Sequence, residues 1–184
     1  NTIDKKVTKN NYFIAVGRLT RQKNFSYLVY EFKKFLNNNP DEKLIIFGEG
    51  EEKNKLSQII DNEKISNNVF LMGYSQEIYF YMKNAKSLIL SSLWEDPGFV
   101  LIEAAYSNCF IISSNCKNGP KEILRNGEGG LLFNSNTENA LFEKLNFFEK
   151  MSKEDKKRMK IISKRNSKKY SSFQHYLKLR ELLI

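Results

Sequence analysis

The sequence is poor in residues that bind metals or form cross-links, with two cysteines and one histidine among its 184 residues. Cys109 and Cys116 lie on either side of an apolar run at 110–114, and an extended strand there would hold the two thiols too far apart for a disulfide. Without a Cys-x-x-Cys spacing, and with His175 as the single imidazole, the chain lacks the ligand set of a zinc site. We therefore expect reduced thiols in or beside a core strand, and no metal or other cofactor.

Long hydrophobic runs are also absent. No apolar run reaches the roughly 18 to 20 residues that a membrane-spanning helix requires, and residues 1–10 are polar and contain lysine. The sequence predicts neither a transmembrane helix nor a signal peptide. We expect a cytoplasmic protein, with peripheral attachment to the inner face of the cell membrane as the alternative location.

Positive charge is in excess: 30 lysines and arginines against 21 acidic residues give a formal net charge of +9. Much of the excess lies in residues 150–169, and such a segment attracts polyanions. It is either a solvated helical face, with Met151, Met159, Ile161 and Ile162 turned inward, or a surface for anionic lipid headgroups. Nucleic acid is not an expected partner, since no RNP-type strand, helix-turn-helix or zinc-finger spacing accompanies the charge.

Short apolar runs alternate with helical patterns along the chain. Strands are predicted at residues 12–17, 43–47, 69–72, 87–91, 110–113 and 130–133, and helices at 25–37, 51–61, 76–83, 98–106, 120–124 and over most of the chain beyond 137. Strands that are apolar on both faces and alternate with amphipathic helices form parallel sheets between helix layers. The predicted fold is α/β: a doubly wound, mainly parallel, Rossmann-like sheet of about six strands with helices on both faces.

The turns that follow the strands are where ligands bind on such a sheet. After the first strand, Gly17 leads into a basic turn that can present Arg18 and Lys23 to an anion, although a solvated basic turn is the alternative. After the second strand, Gly48 and Gly50 allow the backbone to approach a ligand closely. These two glycines are not a dinucleotide fingerprint, which requires a third glycine three positions later.

The segment after the fourth strand is the most specific. Pro97 and Gly98 are typical of a helix start, so the amides of Gly98, Phe99 and Val100 should face the same crevice as the two cations of the first turn. A helix terminus attracts an anion by only about 0.3 to 2 kcal/mol. We therefore expect these amides and the two cations to hold a phosphate group together.

Two acids flank this helix start. Glu95 precedes it, and Glu103 lies about one and a half turns inside the helix among apolar neighbours, where a carboxylate needs a partner. The two carboxylates can accept hydrogen bonds from hydroxyls at both ends of a nucleotide sugar. The alternative is a helix-start acid and a structurally paired glutamate.

In their joint order, these motifs resemble the C-terminal domain of group 1 glycosyltransferases, family 4 of the retaining enzymes with the two-domain GT-B fold. The resemblance is carried by Gly-Arg-Leu at 17–19, Lys-Asn at 23–24, Gly-Glu-Gly at 48–50, Gly73, the glutamates at 95 and 103, and Gly-Pro-Lys-Glu-Ile at 119–123 ahead of Gly127. It implies that Arg18 and Lys23 hold the donor diphosphate, that Glu95 contacts the transferred sugar, and that Glu103 binds the ribose hydroxyls.

The resemblance implies further donor contacts. The backbone of residues 73–75, including Gly73 and Tyr74, frames the base, and residues 119–122, including Glu122, close part of the pocket. Two departures from the family pattern are visible. The turn before the fifth strand lacks the family's usual glycine and proline, and Asp96-Pro97 replaces the commoner Gly-Phe after the first glutamate, which leaves the spacing intact and the sugar preference open.

The resemblance begins within the first twenty residues, so the N-terminal acceptor-binding domain of the family is expected to be missing. Residues 1–11 are then a linker tail, 12–170 the donor-binding domain, and 171–184 a C-terminal helix. The implied activity is transfer of a hexose from a nucleoside-diphosphate sugar, such as a UDP-sugar, to a glycan or lipid-linked acceptor in surface glycan synthesis, with retention and without a metal. Alternatives are a nucleotide-sugar-binding module without turnover, a GT-B epimerase, and a basic interaction domain.

Overall fold

The structure is a computed structural model that describes residues 11–170 and Arg180. The strands are β1 (Phe13–Val16), β2 (Leu44–Phe47), β3 (Val69–Gly73), β4 (Ser87–Leu90), β5 (Phe110–Ser114) and β6 (Leu131–Phe133). The described residues also form the helices α1 (Phe25–Leu36), α2 (Lys53–Asn62), α3 (Ile78–Asn84), α4 (Phe99–Tyr106), α5 (Pro120–Ile123), α6 (Ala140–Lys150) and α7 (Lys153–Ser167).

The six strands form one sheet in the order β3-β2-β1-β4-β5-β6, and every neighbouring pair is parallel. The chain therefore winds outward from β1 in one direction and then returns to β4 to wind in the other. The order reverses between β1 and β4, and a crevice opens at such a switch point beyond the carboxyl ends of the strands. The loops after these two strands carry the two cations and the helix start that the sequence assigns to the phosphate.

Helices cover both faces of the sheet, because successive strand residues point to opposite sides. On one face, α1, α2 and α6 pack over a core in which the Phe13 ring meets Phe32, Phe35 and Phe148 at centroid distances of 5.8 Å each. On the other face, α3, α4 and α5 pack over a second core that contains the neighbouring Ile14. The predicted doubly wound Rossmann-like fold is confirmed, with strand and helix ends displaced by one or two residues.

The two cysteines lie where the sequence places them. Cys109 immediately precedes β5 and Cys116 follows it, and both are buried free thiols. Burial raises the pKa of the Cys109 thiol to about 12, so this sulfur stays protonated and unreactive at neutral pH.

The prediction that Ile161 turns inward is wrong: its side chain is 49% exposed, whereas Met151, Met159 and Ile162 are partly buried. Helix α7 instead buries Ser163, Asn166 and Ser167. The Asn166 side-chain amide donates to the backbone carbonyls of Glu122 and Ile123 at 2.9 and 2.8 Å, which fixes the rotation of the helix and turns residue 161 outward. The linker predicted at 1–11, except Asn11, and the helix predicted at 171–184, except Arg180, lie outside the described residues.

Candidate nucleotide-sugar site

The loops that follow β1 and β4 lie side by side. The Ser91 hydroxyl donates to the backbone carbonyl of Lys23 at 2.7 Å, and the Leu93 amide donates to the carbonyl of Gln22 at 2.9 Å. In the opposite direction, the Gln22 side chain donates to the carbonyl of Trp94 at 2.9 Å. These three hydrogen bonds join the basic turn to the segment that carries Glu95.

An ion pair lies between the two loops. The Lys23 ammonium contacts Glu95 Oε1 at 2.6 Å, and the two side chains are 14% and 4% exposed. The Ser92 hydroxyl donates to the same oxygen of Glu95. The stem of Lys23 passes over Gly17, where an added Cβ would lie 3.1 Å from Lys23 Cε. A side chain at residue 17 would therefore disturb the lysine that positions the Glu95 carboxylate.

The first turn of α4 begins beside this ion pair. Gly98 precedes the helix in a left-handed conformation with φ of +85°, and an added Cβ there would lie 3.4 Å from Glu95 Cγ. No side chain caps the helix. The uncapped amides give this terminus a partial positive charge. Phe99 is 63% exposed and Val100 is partly buried.

A cavity of about 370 Å³ opens at the carboxyl ends of β1, β2 and β3. Its lining combines apolar side chains, glycine backbone and a few polar groups: Val16, Gly17, Arg18, Phe47, Gly48, Glu49, Gly73, Tyr74, Ser75 and Ile78. Arg18 is exposed and forms no ion pair with the described residues, and Tyr74 is 80% exposed. The cavity is large enough for a small ligand, and an unpaired guanidinium lies in its wall.

Glycines hold the three strand ends together. Gly17 N–H donates to the carbonyl of Phe47 at 3.0 Å, and Gly48 N–H donates to the carbonyl of Gly73 at 2.8 Å. A Cβ on Gly48 would lie 1.9 Å from the Gly17 carbonyl oxygen, and one on Gly50 would lie 2.4 Å from the Leu19 carbonyl oxygen. Glycine is therefore required at positions 48 and 50 because the backbone leaves no room for a side chain, whether or not a ligand binds there. Gly17, Gly48 and Gly73 also line the cavity, whereas Gly50 does not.

Glu103 lies in the second turn of α4, partly buried and without an ion pair among the described residues. Burial raises the pKa of its carboxyl above the usual value. Since this folded-state pKa is higher than that of the unfolded chain, the charged carboxylate destabilises the fold as the pH rises through the two values, and the cost is largest above the folded pKa. A ligand hydroxyl would offset this cost by donating to the carboxylate.

We expect Glu103→Gln to stabilise the free protein at pH 7 and to leave its stability nearly unchanged at pH 3.5, where the native carboxyl is protonated. On the ribose-binding role that the family resemblance implies for Glu103, the same change should weaken UDP binding about tenfold, because an amide is a poorer acceptor for hydroxyls than a carboxylate. Urea denaturation at both pH values and calorimetric titration with UDP measure these effects. Lower stability at pH 7 would contradict the assignment of Glu103 as an unpaired carboxylate.

The remaining predicted site residues, Pro97 and Glu122, lie outside the cavity lining. Pro97 meets Gly119, where an added Cβ would lie 2.0 Å from the Pro97 carbonyl oxygen, so the start of α5 packs on the segment between Glu95 and α4. The Glu122 carboxylate accepts a hydrogen bond from the Tyr170 hydroxyl at 2.7 Å and is not among the residues that line the cavity. Its closure of a donor pocket stays a prediction.

Several contributing residues were missed by sequence reasoning. Ser91 and Ser92 immediately follow β4 and hold Lys23 and Glu95 in place. Both follow β4, one of the two strands between which the strand order reverses, and this position could have identified them as site residues. Glu49 and Ile78 also line the cavity. Glu49 lies within the Gly-Glu-Gly motif at 48–50, where the two glycines alone were assigned a role, and no motif includes Ile78. Within the described part of the chain, no cluster of three or more histidine, cysteine or acidic side chains could hold a metal ion.

The sequence profile of the family described as Glycosyl transferases group 1 matches residues 2–167. A relative from Campylobacter jejuni is 31% identical over 137 residues, which is 74% of this chain and 37% of the relative. It is named N-acetylgalactosamine-N,N'-diacetylbacillosaminyl-diphospho-undecaprenol 4-alpha-N-acetylgalactosaminyltransferase.

Two solved structures share the fold. Staphylococcus aureus TarM, crystallised as a mutant with UDP among its ligands, superposes with a TM-score of 0.85 at 22% identity, over 99% of this chain and 37% of TarM. The C-terminal domain of the group 1 protein LpcC from Francisella tularensis superposes with a TM-score of 0.78 at 18% identity, over 92% of this chain and 90% of that domain. The chain spans only 28% to 37% of the length of three curated relatives that it matches.

Proposed function

The chain belongs to the group 1 glycosyl transferases, and we propose that it forms the donor-binding domain of a retaining hexosyltransferase that uses a nucleoside-diphosphate sugar. Its fold is that of the C-terminal domain of GT-B glycosyltransferases. The chain covers about a third of the length of its relatives, and the proposal for this chain is limited to donor binding.

The donor diphosphate is proposed to lie over the carboxyl ends of β1 and β4. Arg18 in the cavity wall, the ammonium of Lys23 and the uncapped amides of α4 all lie at this end of the sheet and are donors for phosphate oxygens. Lys23 has three N–H donors and uses one on Glu95, so donors remain for a phosphate oxygen. As the bond between sugar and phosphate breaks, charge grows on the diphosphate, and donors already in position stabilise it without a metal.

The base is proposed to occupy the cavity of about 370 Å³, between the apolar wall of Val16, Phe47 and Ile78 and the glycine backbone. The Glu103 carboxylate accepts hydrogen bonds from the ribose hydroxyls, and Glu95 contacts the transferred sugar. The comparison with a UDP-containing structure of the same fold favours UDP as the nucleotide.

The acceptor is proposed to be a lipid-linked or surface glycan. The support comes from relatives. The name of the Campylobacter jejuni protein includes a diphospho-undecaprenol group, and a Bacillus subtilis relative, 30% identical, is named poly(glycerol-phosphate) alpha-glucosyltransferase.

The observation that carries the proposal is the convergence of Arg18, the Lys23–Glu95 pair and the start of α4 at one end of the sheet. We expect Arg18→Ala to weaken UDP binding by about 10- to 100-fold, the loss of one or two charge-assisted hydrogen bonds, with stability changed by less than about 0.5 kcal/mol because the side chain is exposed. Isothermal titration calorimetry and urea denaturation measure the two quantities.

Arg21→Ala is the matched control, since Arg21 is an exposed arginine of the same turn that does not line the cavity. It should bind UDP within about twofold of the unchanged chain. Equal losses of UDP affinity in both variants would show that net charge alone causes the effect, and would contradict the proposed position of the diphosphate.

Donor binding alone fits a binding module as well as an enzyme. A transfer assay on the longer protein that contains this domain separates the two, because only an enzyme turns over donor in the presence of acceptor. Turnover without acceptor would indicate an epimerase.

A further inference from the structure

A second cavity, of about 620 Å³, lies at the opposite end of the sheet, at the amino ends of β4 and β5. Six lysines line it, and we call it the basic cleft: Lys83, Lys86, Lys153, Lys156, Lys157 and Lys160. The strands between the two ends are four or five residues long, which separates the basic cleft from the donor site by roughly 15 Å. The proposed glycosyl transfer uses none of these lysines.

The positive charge of the basic cleft is only partly balanced. Lys86 is paired with Glu42 and, at 3.3 Å, with Glu149. The other five lysines form no ion pair with any carboxylate of the described residues. Four of them come from α7 and are spaced along one side of the helix, so their charges repel one another. An arriving anion would relieve this repulsion.

One of these ammonium groups is also partly desolvated. Lys156 Nζ lies 3.9 Å from the centroid of the Phe148 ring, and burial lowers the pKa of this ammonium. A desolvated cation without a carboxylate partner costs free energy, and a phosphate oxygen would supply the missing charge-assisted hydrogen bond.

An exposed apolar side chain lies close to the lysines. Ile161, 49% exposed, follows Lys160 on α7 and is one turn away from Lys157, and Lys164 continues the positive charge along the same side. Lysines beside exposed apolar side chains are typical of surfaces that lie on membranes, whereas a site for a free anion has no need of them.

We propose that the basic cleft and the adjoining side of α7 form a docking surface for an anionic lipid bilayer, with lipid phosphates entering between Lys156, Lys157 and Lys160. Docking there would hold the domain at the surface where a lipid-linked acceptor is found and leave the opposite end of the sheet open to donor. The docking itself is independent of the proposed donor chemistry.

The test is sedimentation of the 184-residue chain with phosphatidylcholine vesicles that contain either no anionic lipid or about 30% phosphatidylglycerol. We expect binding to the anionic vesicles alone. The triple change Lys156→Gln, Lys157→Gln and Lys160→Gln should weaken this binding by about 10- to 100-fold, since each lysine near an anionic surface contributes about 1 kcal/mol. Thermal unfolding checks that the variant is folded.

The matched control changes Lys33, Lys64 and Lys144 to glutamine. These lysines also lack an ion pair with the described residues, and they lie on or beside α1, α2 and α6. The control removes the same charge and should bind anionic vesicles within about threefold of the unchanged chain. Equal weakening in both triples would assign the binding to net charge and overturn the proposal.

Two further measurements separate the lipid surface from other anions. Ile161→Ser should weaken vesicle binding several-fold and leave any binding of inorganic pyrophosphate, followed by NMR shifts, unchanged. Pyrophosphate binding with no binding to anionic vesicles would assign the basic cleft to a free anion. An RNA oligonucleotide that binds more tightly than vesicles, and whose binding is lost in the triple variant of Lys156, Lys157 and Lys160, would assign the basic cleft to nucleic acid. Either result overturns the proposal.

Discussion

Lys23→Met is expected to lower the free energy of unfolding by about 3 to 4 kcal/mol. The change removes the cation that faces Glu95 and leaves a carboxylate that is 4% exposed with the Ser92 hydroxyl as its remaining side-chain partner. Breaking a buried ion pair on one side costs about 3 to 5 kcal/mol, because the other charge stays buried and uncompensated. Urea denaturation at pH 7 measures the loss.

The double variant Lys23→Met and Glu95→Gln separates structure from function. Removing both charges eliminates the uncompensated carboxylate, so the double variant should recover about 2 kcal/mol relative to Lys23→Met alone. UDP affinity should not recover, since the ammonium proposed to contact the diphosphate is absent from both variants. We expect UDP binding about 100-fold weaker in each, equivalent to roughly 2.7 kcal/mol. Recovery of UDP affinity together with stability would show that Lys23 serves only to hold Glu95.

The position of the two loops at the same end of the sheet could be predicted from the sequence. Gly17 and Gly98 each follow a buried strand, and parallel strands place such turns at one end of a sheet. The sequence alone left the strand order open, and the order decides which turns meet. Only the pairing of β1 with β4 brings the basic turn next to the start of α4.

The ion pair between Lys23 and Glu95 could not be predicted, although both residues were identified as candidates. The two lie 72 positions apart, and no local periodicity connects residues at that distance. The sequence suggested separate roles, a cation for the phosphate and an acid for the sugar. The structure shows that the two charges neutralise each other, so on the proposed function a phosphate and the Glu95 carboxylate share the ammonium of Lys23.

The orientation of α7 shows the limit of a hydrophobic pattern. Its apolar residues suggested that Ile161 faces inward, but Ser163 and Asn166 are buried instead. The buried amide of Asn166 satisfies two backbone carbonyls at the end of α5, and leaving these polar groups without partners would cost more than exposing one isoleucine. Polar contacts of this kind leave no trace in the spacing of apolar residues.

Gly48→Ala is expected to have the largest effect on stability. An alanine Cβ at this position would lie 1.9 Å from the Gly17 carbonyl oxygen and 2.9 Å from its carbonyl carbon, and the φ of +143° is unfavourable for any residue with a side chain. The backbone of Gly17, which follows β1, must then move. This movement distorts two hydrogen bonds, from Gly17 N–H to Phe47 and from Gly48 N–H to Gly73. We expect a loss of at least about 4 kcal/mol in the free energy of unfolding, within the range of severe steric substitutions.

Gly127→Ala is the control that isolates conformational strain from the clash. Gly127 also has a positive φ, +102°, but an added Cβ there meets no atom within 4 Å. Its cost should be the strain alone, about 1 to 2 kcal/mol, with UDP affinity unchanged. Gly48→Ala should lose UDP binding even at low temperature where it remains folded, because displacement of Gly17 carries Arg18 and the stem of Lys23 with it. Similar stabilities for the two variants, measured by urea denaturation, would mean that the strand ends yield easily and that the glycines do not fix the position of the basic turn.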